Sequence, residues 1–256
     1  MNAFYFGTGT RRLFGIYEPA RAGSAGPRAA VICNPWGSEY LHAHRSMRQV
    51  AIRLSAAGYH TLRFDYFGTG DAAGDLLDAD LKGWEADIEC ALQELKDMSG
   101  APGVTLVGLR LGATLAAVVA AREPTAVDAV VLWDPVVFGS EYLSALYSTS
   151  TARAHDKAQP LVPEHGGGVE ILGFRLSDAM AQEIRALQLP ALIPALPDRT
   201  LVIVSEQLAS HEILRSAMVG RQAFEHMTSV APWIENPTNA GVLPVNILQR
   251  IPAWLA

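Results

Sequence analysis

Apolar residues along this chain fall into short continuous runs that alternate with stretches of helical spacing. The runs Ala29–Cys33, Thr61–Asp65, Val104–Gly108, Ala129–Trp133 and Thr200–Val204 suit strands buried on both faces of a sheet. Between them, Met47, Val50, Ala51, Leu54 and Ala57 recur at helical spacing from His44 to Ala57, with Gly58 as a stop. Leu81, Trp84, Ile88, Ala91, Leu92 and Leu95 make a second stripe, and an Ala-rich run after Gly112 makes a third helix. Two opening strands, Ala3–Phe6 and Arg12–Tyr17, join at a Gly-rich turn, as a hairpin requires. After Glu206 the spacing predicts a helix through Ile213 and Met218 to Gly220, a last strand from Ala223 to Met227, and a closing helix from Val242 to Leu255 with Pro244 in its first turn. Such alternation predicts an α/β fold, a mainly parallel twisted sheet with helices on both faces and ligands bound beyond the carboxyl ends of its strands. Asn34, Asp71, Arg110, Asp134 and Glu206 all fall at those ends.

The alternation breaks between Phe138 and Leu196. There the chain offers Tyr142–Tyr147, a Gly166–Gly168 run that reads as a hinge, a strand from Val169 to Phe174, and a helix from Ser177 to Leu187. The apolar content of so long an interval predicts a packed cap over the site, residues 138–196, inserted into a core made of residues 1–137 and 197–256.

One motif stands apart. The run Val104–Gly108 passes through Leu109-Arg110-Leu111 to Gly112 and straight into the Ala-rich helix, a strand, sharp turn and helix with Arg110 at the apex. Arginine stays protonated and offers only donors, so it cannot attack a carbonyl. In the loop Gly68-x-Gly70-x-x-x-Gly74 the third glycine is misplaced for a dinucleotide fingerprint. No Cys, His and Asp cluster has metal spacing, and neither a metal nor a cofactor is expected. His42 and His44 lie behind the Trp36 loop, where one could reach the site mouth; two residues apart, they do not share a helix face, make a poor metal pair, and read first as solvated surface. Cys33, inside an apolar strand, reads as an inert buried thiol, and Trp36, Trp133 and Trp233 as core or pocket-wall aromatics.

Composition narrows the partners. With 256 residues, half of them apolar, the chain can bury one sizeable α/β core. A formal net charge of -6 argues against nucleic acid or an anionic membrane. No apolar run reaches the roughly 18 residues of a membrane span. Two cysteines and no basic-then-apolar leader point to the cytoplasm.

With Asn34-Pro35-Trp36-Gly37, the Asp65–Asp71 turn and the Gly108–Gly112 elbow in this order, the chain resembles α/β-hydrolases of the serine-aminopeptidase-like group. More closely, it resembles the hydrolase-like proteins described alongside exosortase systems and acyl-activating biosynthetic clusters. That likeness rests on Asn34–Glu39, Gly108–Ala113, Leu132–Pro135 and Glu170–Phe174, blocks that span almost the whole chain. The resemblance implies an α/β-hydrolase fold in which the elbow residue is a nucleophilic serine, a place held here by Arg110. It implies oxyanion donors in the backbone N–H groups of Trp36 and Leu111, and an acid at Glu206, or at Asp134 one strand earlier. It also implies a histidine in the loop Ala231–Gly241, which has none. His211, shortly after Glu206, is an unorthodox candidate base, and its place at a helix N-terminus explains it equally well.

Two readings of Arg110 stand. It is an anion-binding centre beside two backbone donors, or a structural ion pair with Glu39 or Asp134. Glu39 reads as that arginine's partner before it reads as a general base. The function expected is binding or turnover of an acyl, ester or thioester-type small molecule, or an anionic one, without a covalent serine intermediate. A biosynthetic protein is a second candidate partner. The alternative is a catalytically silent binding or scaffold protein on the same fold.

Overall fold

Val104–Leu109, the strand before the Arg110 turn, lies near the middle of an eight-stranded sheet. In a computed structural model, residues 1–21, 26–156, 168–235 and 242–256 are described. The chain runs through β1 (Asn2–Thr8), β2 (Arg11–Glu18), β3 (Arg28–Cys33), α1 (Gly37–Ala56), β4 (Tyr59–Asp65), α2 (Leu81–Ser99), β5 (Val104–Leu109), α3 (Leu111–Arg122) and β6 (Val127–Trp133). It continues through α4 (Gly139–Asp156), β7 (Val169–Ile171), β8 (Phe174–Leu176), α5 (Asp178–Ala186), α6 (Leu189–Leu192), β9 (Thr200–Val204), α7 (Ala209–Ser216), β10 (Ala223–His226) and α8 (Val245–Leu255). The sheet order is β1-β2-β4-β3-β5-β6-β9-β10. The pairs β1/β2 and β2/β4 are antiparallel, and the rest are parallel.

The apolar runs are strands because both sheet faces are covered. Along β3, Val31 and Cys33 join the core shared with α2 and α3, while Ala30 and Ile32 point to the opposite core with α1 and α8. The same period-two split holds in β5 and β6, where Leu106 and Val130 face one core and Val107 and Val131 the other. Strands of this kind carry no polar face, which is why their hydrophobicity is continuous.

Three sequence expectations shift. The first helix begins at Gly37, well before His44, and so carries Ser38, Glu39 and His42 toward the sheet's carboxyl edge. The strand expected over Val169–Phe174 is two short strands, β7 and β8, paired antiparallel around Leu172 and Gly173. Both turn residues have positive φ, 53° and 85°, the twist a two-residue hairpin needs. A leucine in that place hides the turn from a residue-type reading. The helix after Glu206 stops at Ser216.

Between β6 and β9 the chain leaves the sheet. It is tied back by backbone bonds from Gly139 N to Leu187 O (3.0 Å) and Leu189 N to Val137 O (2.9 Å). Tyr142, Leu143, Ile171, Met180, Ile184 and Leu189 from this interval are buried in the α2/α3 core. Gly166 and Gly167 of the expected hinge, with His165, lie outside the described residues.

Candidate functional site

The elbow is built by steric necessity. A Cβ on Gly108 would stand 2.4 Å from the Ala113 Cα, and one on Gly112 would stand 2.2 Å from the Asn34 carbonyl oxygen. Glycine at both places lets α3 start directly off β5 and press against the loop after β3. Arg110, between them, is held at φ 55° and ψ -125°. Such a conformation costs a non-glycine residue on the order of 1–3 kcal/mol and persists because its surroundings fix it. Its backbone N–H bonds the Trp133 carbonyl at 3.1 Å, and its carbonyl accepts from Ala113 N at 3.0 Å.

The side chain then reaches Glu39 in the first turn of α1. Arg110 Nε donates to Glu39 Oε1 at 2.9 Å, and Nη1 donates to the Asp134 backbone carbonyl at 3.3 Å. The second Glu39 oxygen accepts the Tyr142 hydroxyl from α4 at 2.8 Å. Both carboxylate oxygens are thus engaged, while no hydrogen bond from Nη2 of Arg110 is found among the described residues. The guanidinium carbon stands 5.5 Å from the Tyr142 ring centroid and 5.1 Å from that of Trp233, within cation–π range. Burial alone would lower the arginine's pKa, but Glu39, the Tyr142 oxygen and the Nε bond outweigh it and hold it above its ordinary value. Burial, reinforced by the Glu39 charge, holds the Tyr142 phenol well above its own.

This group forms one end of a cleft of about 210 Å³, lined by Arg110, Glu39, Ser38 and His42 on one side and by the α4 face from Tyr142 to Arg153 on the other. Trp233, Ile234 and Glu235, with Leu172, complete it. Of the two histidines behind the Trp36 loop, His42 is the one that reaches the site. Because α1 starts at Gly37, His42 lies one turn beyond Glu39 and lines the cleft, while His44 is exposed with Nδ1 2.7 Å from the Leu41 carbonyl.

The other expected acid and base residues do not line this cleft, although the Asp134 backbone carbonyl meets Arg110. Asp134 is 3% exposed, and its Oδ1 accepts from Ser205 N at 2.7 Å, bracing β6 against β9. Its Oδ2, Trp133 Nε1 and Ser205 Oγ are buried near one another and make no well-formed hydrogen bond among the described residues. Burial pushes the Asp134 carboxyl up to about 6, against the pull of the Ser205 amide and the Arg110 charge. Glu206 is exposed. His211 is buried, with Nδ1 2.9 Å from the Glu206 carbonyl oxygen and 3.4 Å from Leu208 N, so its ring is tied to its own helix start. Burial lowers its pKa. None of the three lines the cleft. Trp36 and Leu111 are fully buried at the starts of α1 and α3, where N–H groups have no intrahelical acceptor. The Trp36 ring meets Phe174 of β8 edge-on, with centroids 6.2 Å apart. Cys33 is buried, and desolvation pushes its thiol up to about 12, which leaves no thiolate nucleophile there.

A second cavity of about 120 Å³ opens beside Gly37 and Phe174 over the Gly68–Gly70 turn, where Asp65 accepts from the Tyr40 hydroxyl (2.6 Å) and Asp71 N (3.0 Å). Among the described residues no group of three or more His, Cys, Asp and Glu side chains could hold a metal ion, and no helix is long and apolar enough to cross a membrane.

Trp233, expected as a core or pocket-wall aromatic, is a wall of the cleft, whereas neither its contact nor that of Tyr142 with Arg110 can be read from pattern. Each sits far from Arg110 in sequence, and no local motif marks either one.

Comparison with known proteins agrees with this geometry. The family model for serine aminopeptidase, S33, matches residues 27–249. Comparison with curated proteins gives no match. Among solved structures, Est1E from Butyrivibrio proteoclasticus with ferulic acid bound superposes with a TM-score of 0.70 at 12% identity over 99% of this chain and 98% of that one. A proline iminopeptidase from Mycobacterium smegmatis gives 0.69 at 12% identity, covering 99% and 97%. The thioesterase domain from the curacin biosynthetic pathway gives 0.63 at 16%, covering 100% and 98%. Likeness at such identities is likeness of fold. The eight-stranded sheet, the glycine-flanked elbow and the match over most of the chain lead to one conclusion: the protein belongs to the serine aminopeptidase, S33 family of α/β-hydrolases, with Arg110 at the apex of its elbow.

Proposed function

We propose that the protein binds and acts on an acyl, ester or thioester-type small molecule without a covalent serine intermediate. Arg110 and the backbone N–H groups of Trp36 and Leu111 would hold the ligand's carbonyl or carboxylate oxygen, and residues 138–196 would serve as the cap. One observation carries this reading. At the apex of the elbow stands a cation that lines the cleft, with its Nε held by Glu39 and no partner for its Nη2 among the described residues. A guanidinium fixed in this way stabilises negative charge developing on a carbonyl oxygen and orients the acyl group, which is electrostatic and positional catalysis. It offers no nucleophile of its own.

A second reading, a silent binding or scaffold protein that receives its ligand from a biosynthetic partner, is supported by the placement of His211 and Glu206. Neither lines the cleft, so the candidate acid and base do not stand in it, and His42 is the histidine among its described lining residues. Both readings exclude an acyl-serine. Incubation with a fluorophosphonate probe should leave the purified protein unlabelled, and p-nitrophenyl esters should give no burst. Stoichiometric labelling would overturn both.

A further inference from the structure

The cleft has a second charged end, 11 residues along α4 from Tyr142. Tyr142, Ala145, Leu146, Thr149 and Arg153 all line it, a stripe at helical spacing on one face of one rigid element. At a rise of 1.5 Å per residue, Tyr142 and Arg153 stand about 16 Å apart. Trp233, whose ring lies 5.1 Å from the Arg110 guanidinium carbon, Ile234 and Leu172 also line the cleft, so Ala145, Leu146, Leu172 and Ile234 give it an apolar wall besides the two arginines. Arg153 Nη1 pairs with Glu235 at 2.7 Å, in a contact where the two side chains are 38% and 51% exposed. Exposed single-pronged pairs of this sort contribute roughly 0–1 kcal/mol and exchange readily. The more exposed member is the carboxylate, while the arginine belongs to a helix and carries five N–H donors, one of which makes this contact.

From this arrangement we infer that the cleft selects elongated ligands with an anionic group at each end, one on the Nη2 side of Arg110 and one on Arg153, with an apolar chain between. The inference rests on the Arg110 reading above and adds the specificity-determining residue at the far end. A ligand oxyanion either shares Arg153 with Glu235 or displaces that carboxylate into solvent. Ligands with a neutral far end gain nothing at Arg153.

Calorimetric titration of the full chain with saturated linear carboxylates tests this. Linear diacids of about 6–14 carbons are titrated as a series bracketing that rise of about 16 Å along α4, and monocarboxylates of equal length serve as the reference. The diacid should bind about ten-fold tighter than its matched monoacid, the scale of one charge-assisted contact. Arg153→Gln should abolish that advantage and leave monoacid affinity within about two-fold. A diacid advantage that survives Arg153→Gln, or none in the parent, would overturn the inference and leave Arg110 binding intact. Tighter binding of the matched ω-amino acid would overturn it too and make Glu235 the reader of the far end. If no carboxylate binds at all, the Arg110 reading falls and takes this inference with it.

Discussion

Arg110 Nε lies 2.9 Å from Oε1 of Glu39, whose other oxygen accepts the Tyr142 hydroxyl at 2.8 Å. Glu39 is only 5% exposed, so this pair is largely withdrawn from water. Removing one member strands the other, which costs about 3–5 kcal/mol, whereas removing both as similar-sized neutral groups costs much less. Arg110→Ala should therefore lower unfolding stability by about 3 kcal/mol, and Arg110→Met combined with Glu39→Gln should recover most of the loss. Denaturant unfolding of the single and double variants reads the coupling. Additive losses would mean that the two side chains do not share their energy.

Replacing Arg110 by serine should not produce an ordinary esterase. A serine at the apex would still need an imidazole nitrogen within hydrogen-bond reach, and His211 does not line the cleft that Arg110 lines. The expected result for Arg110→Ser is a p-nitrophenyl ester rate within about ten-fold of the parent's. A rate like that of serine esterases would show a base already in place.

The core of the fold is legible in the sequence because β3, β5, β6 and β9 are covered on both faces, which leaves unbroken apolar runs. The elbow is equally legible, since Gly108 and Gly112 are demanded by contacts within a few residues or with the adjoining loop. Glu39 could be named as a candidate partner for Arg110 because both lie at strand ends. Tyr142 could not be paired with them, since its bond to Glu39 joins residues 103 apart and depends on how α4 packs. Which of His42 and His44 reaches the site was hidden by a helix start: Asn34-Pro35-Trp36 reads as loop, and the apolar stripe of α1 becomes regular only past His44, although the helix itself begins at Gly37. The hairpin at Leu172 was hidden because leucine is an unusual residue at positive φ.

Asp134 should leave a signature in the pH dependence of stability. Its folded pKa is raised from 3.8 to about 6 by burial, so the native state holds its proton longer than the unfolded chain does. The sign follows: the stability it contributes is fully present below pH 3.8 and is lost as pH rises to about 6. Asp134→Asn removes that titration. The parent's stability relative to this variant should fall between pH 4 and 6 by on the order of 2–3 kcal/mol and stay flat above. A difference independent of pH would mean that Asp134 is ionised throughout, as an ordinary carboxylate.

The close approach at the elbow gives a stability test free of electrostatics. A methyl at Gly112 would meet the Asn34 carbonyl oxygen at 2.2 Å, a backbone atom that cannot rotate away. Gly112→Ala should cost roughly 3 kcal/mol or more. Gly26→Ala, whose Cβ meets nothing within 4 Å, should stay within about 0.5 kcal/mol of the parent. Chemical denaturation of the two variants decides, and near-parent stability of Gly112→Ala would mean that α3 can move away from the loop after β3.

The most direct measurement of whether Arg110 is a ligand-binding cation is thermal unfolding with and without octanoate, in the parent and in Arg110→Gln. At an octanoate concentration about a hundred-fold above its Kd, a single site stabilises by about 2.7 kcal/mol. For a chain of this size that corresponds to a rise in Tm of roughly 5–10 °C. The expected result is a rise of that size in the parent and none in Arg110→Gln, whatever the variant's own Tm. No rise in the parent, or the same rise in both, would contradict ligand binding at Arg110 and leave the arginine as a structural ion pair with Glu39.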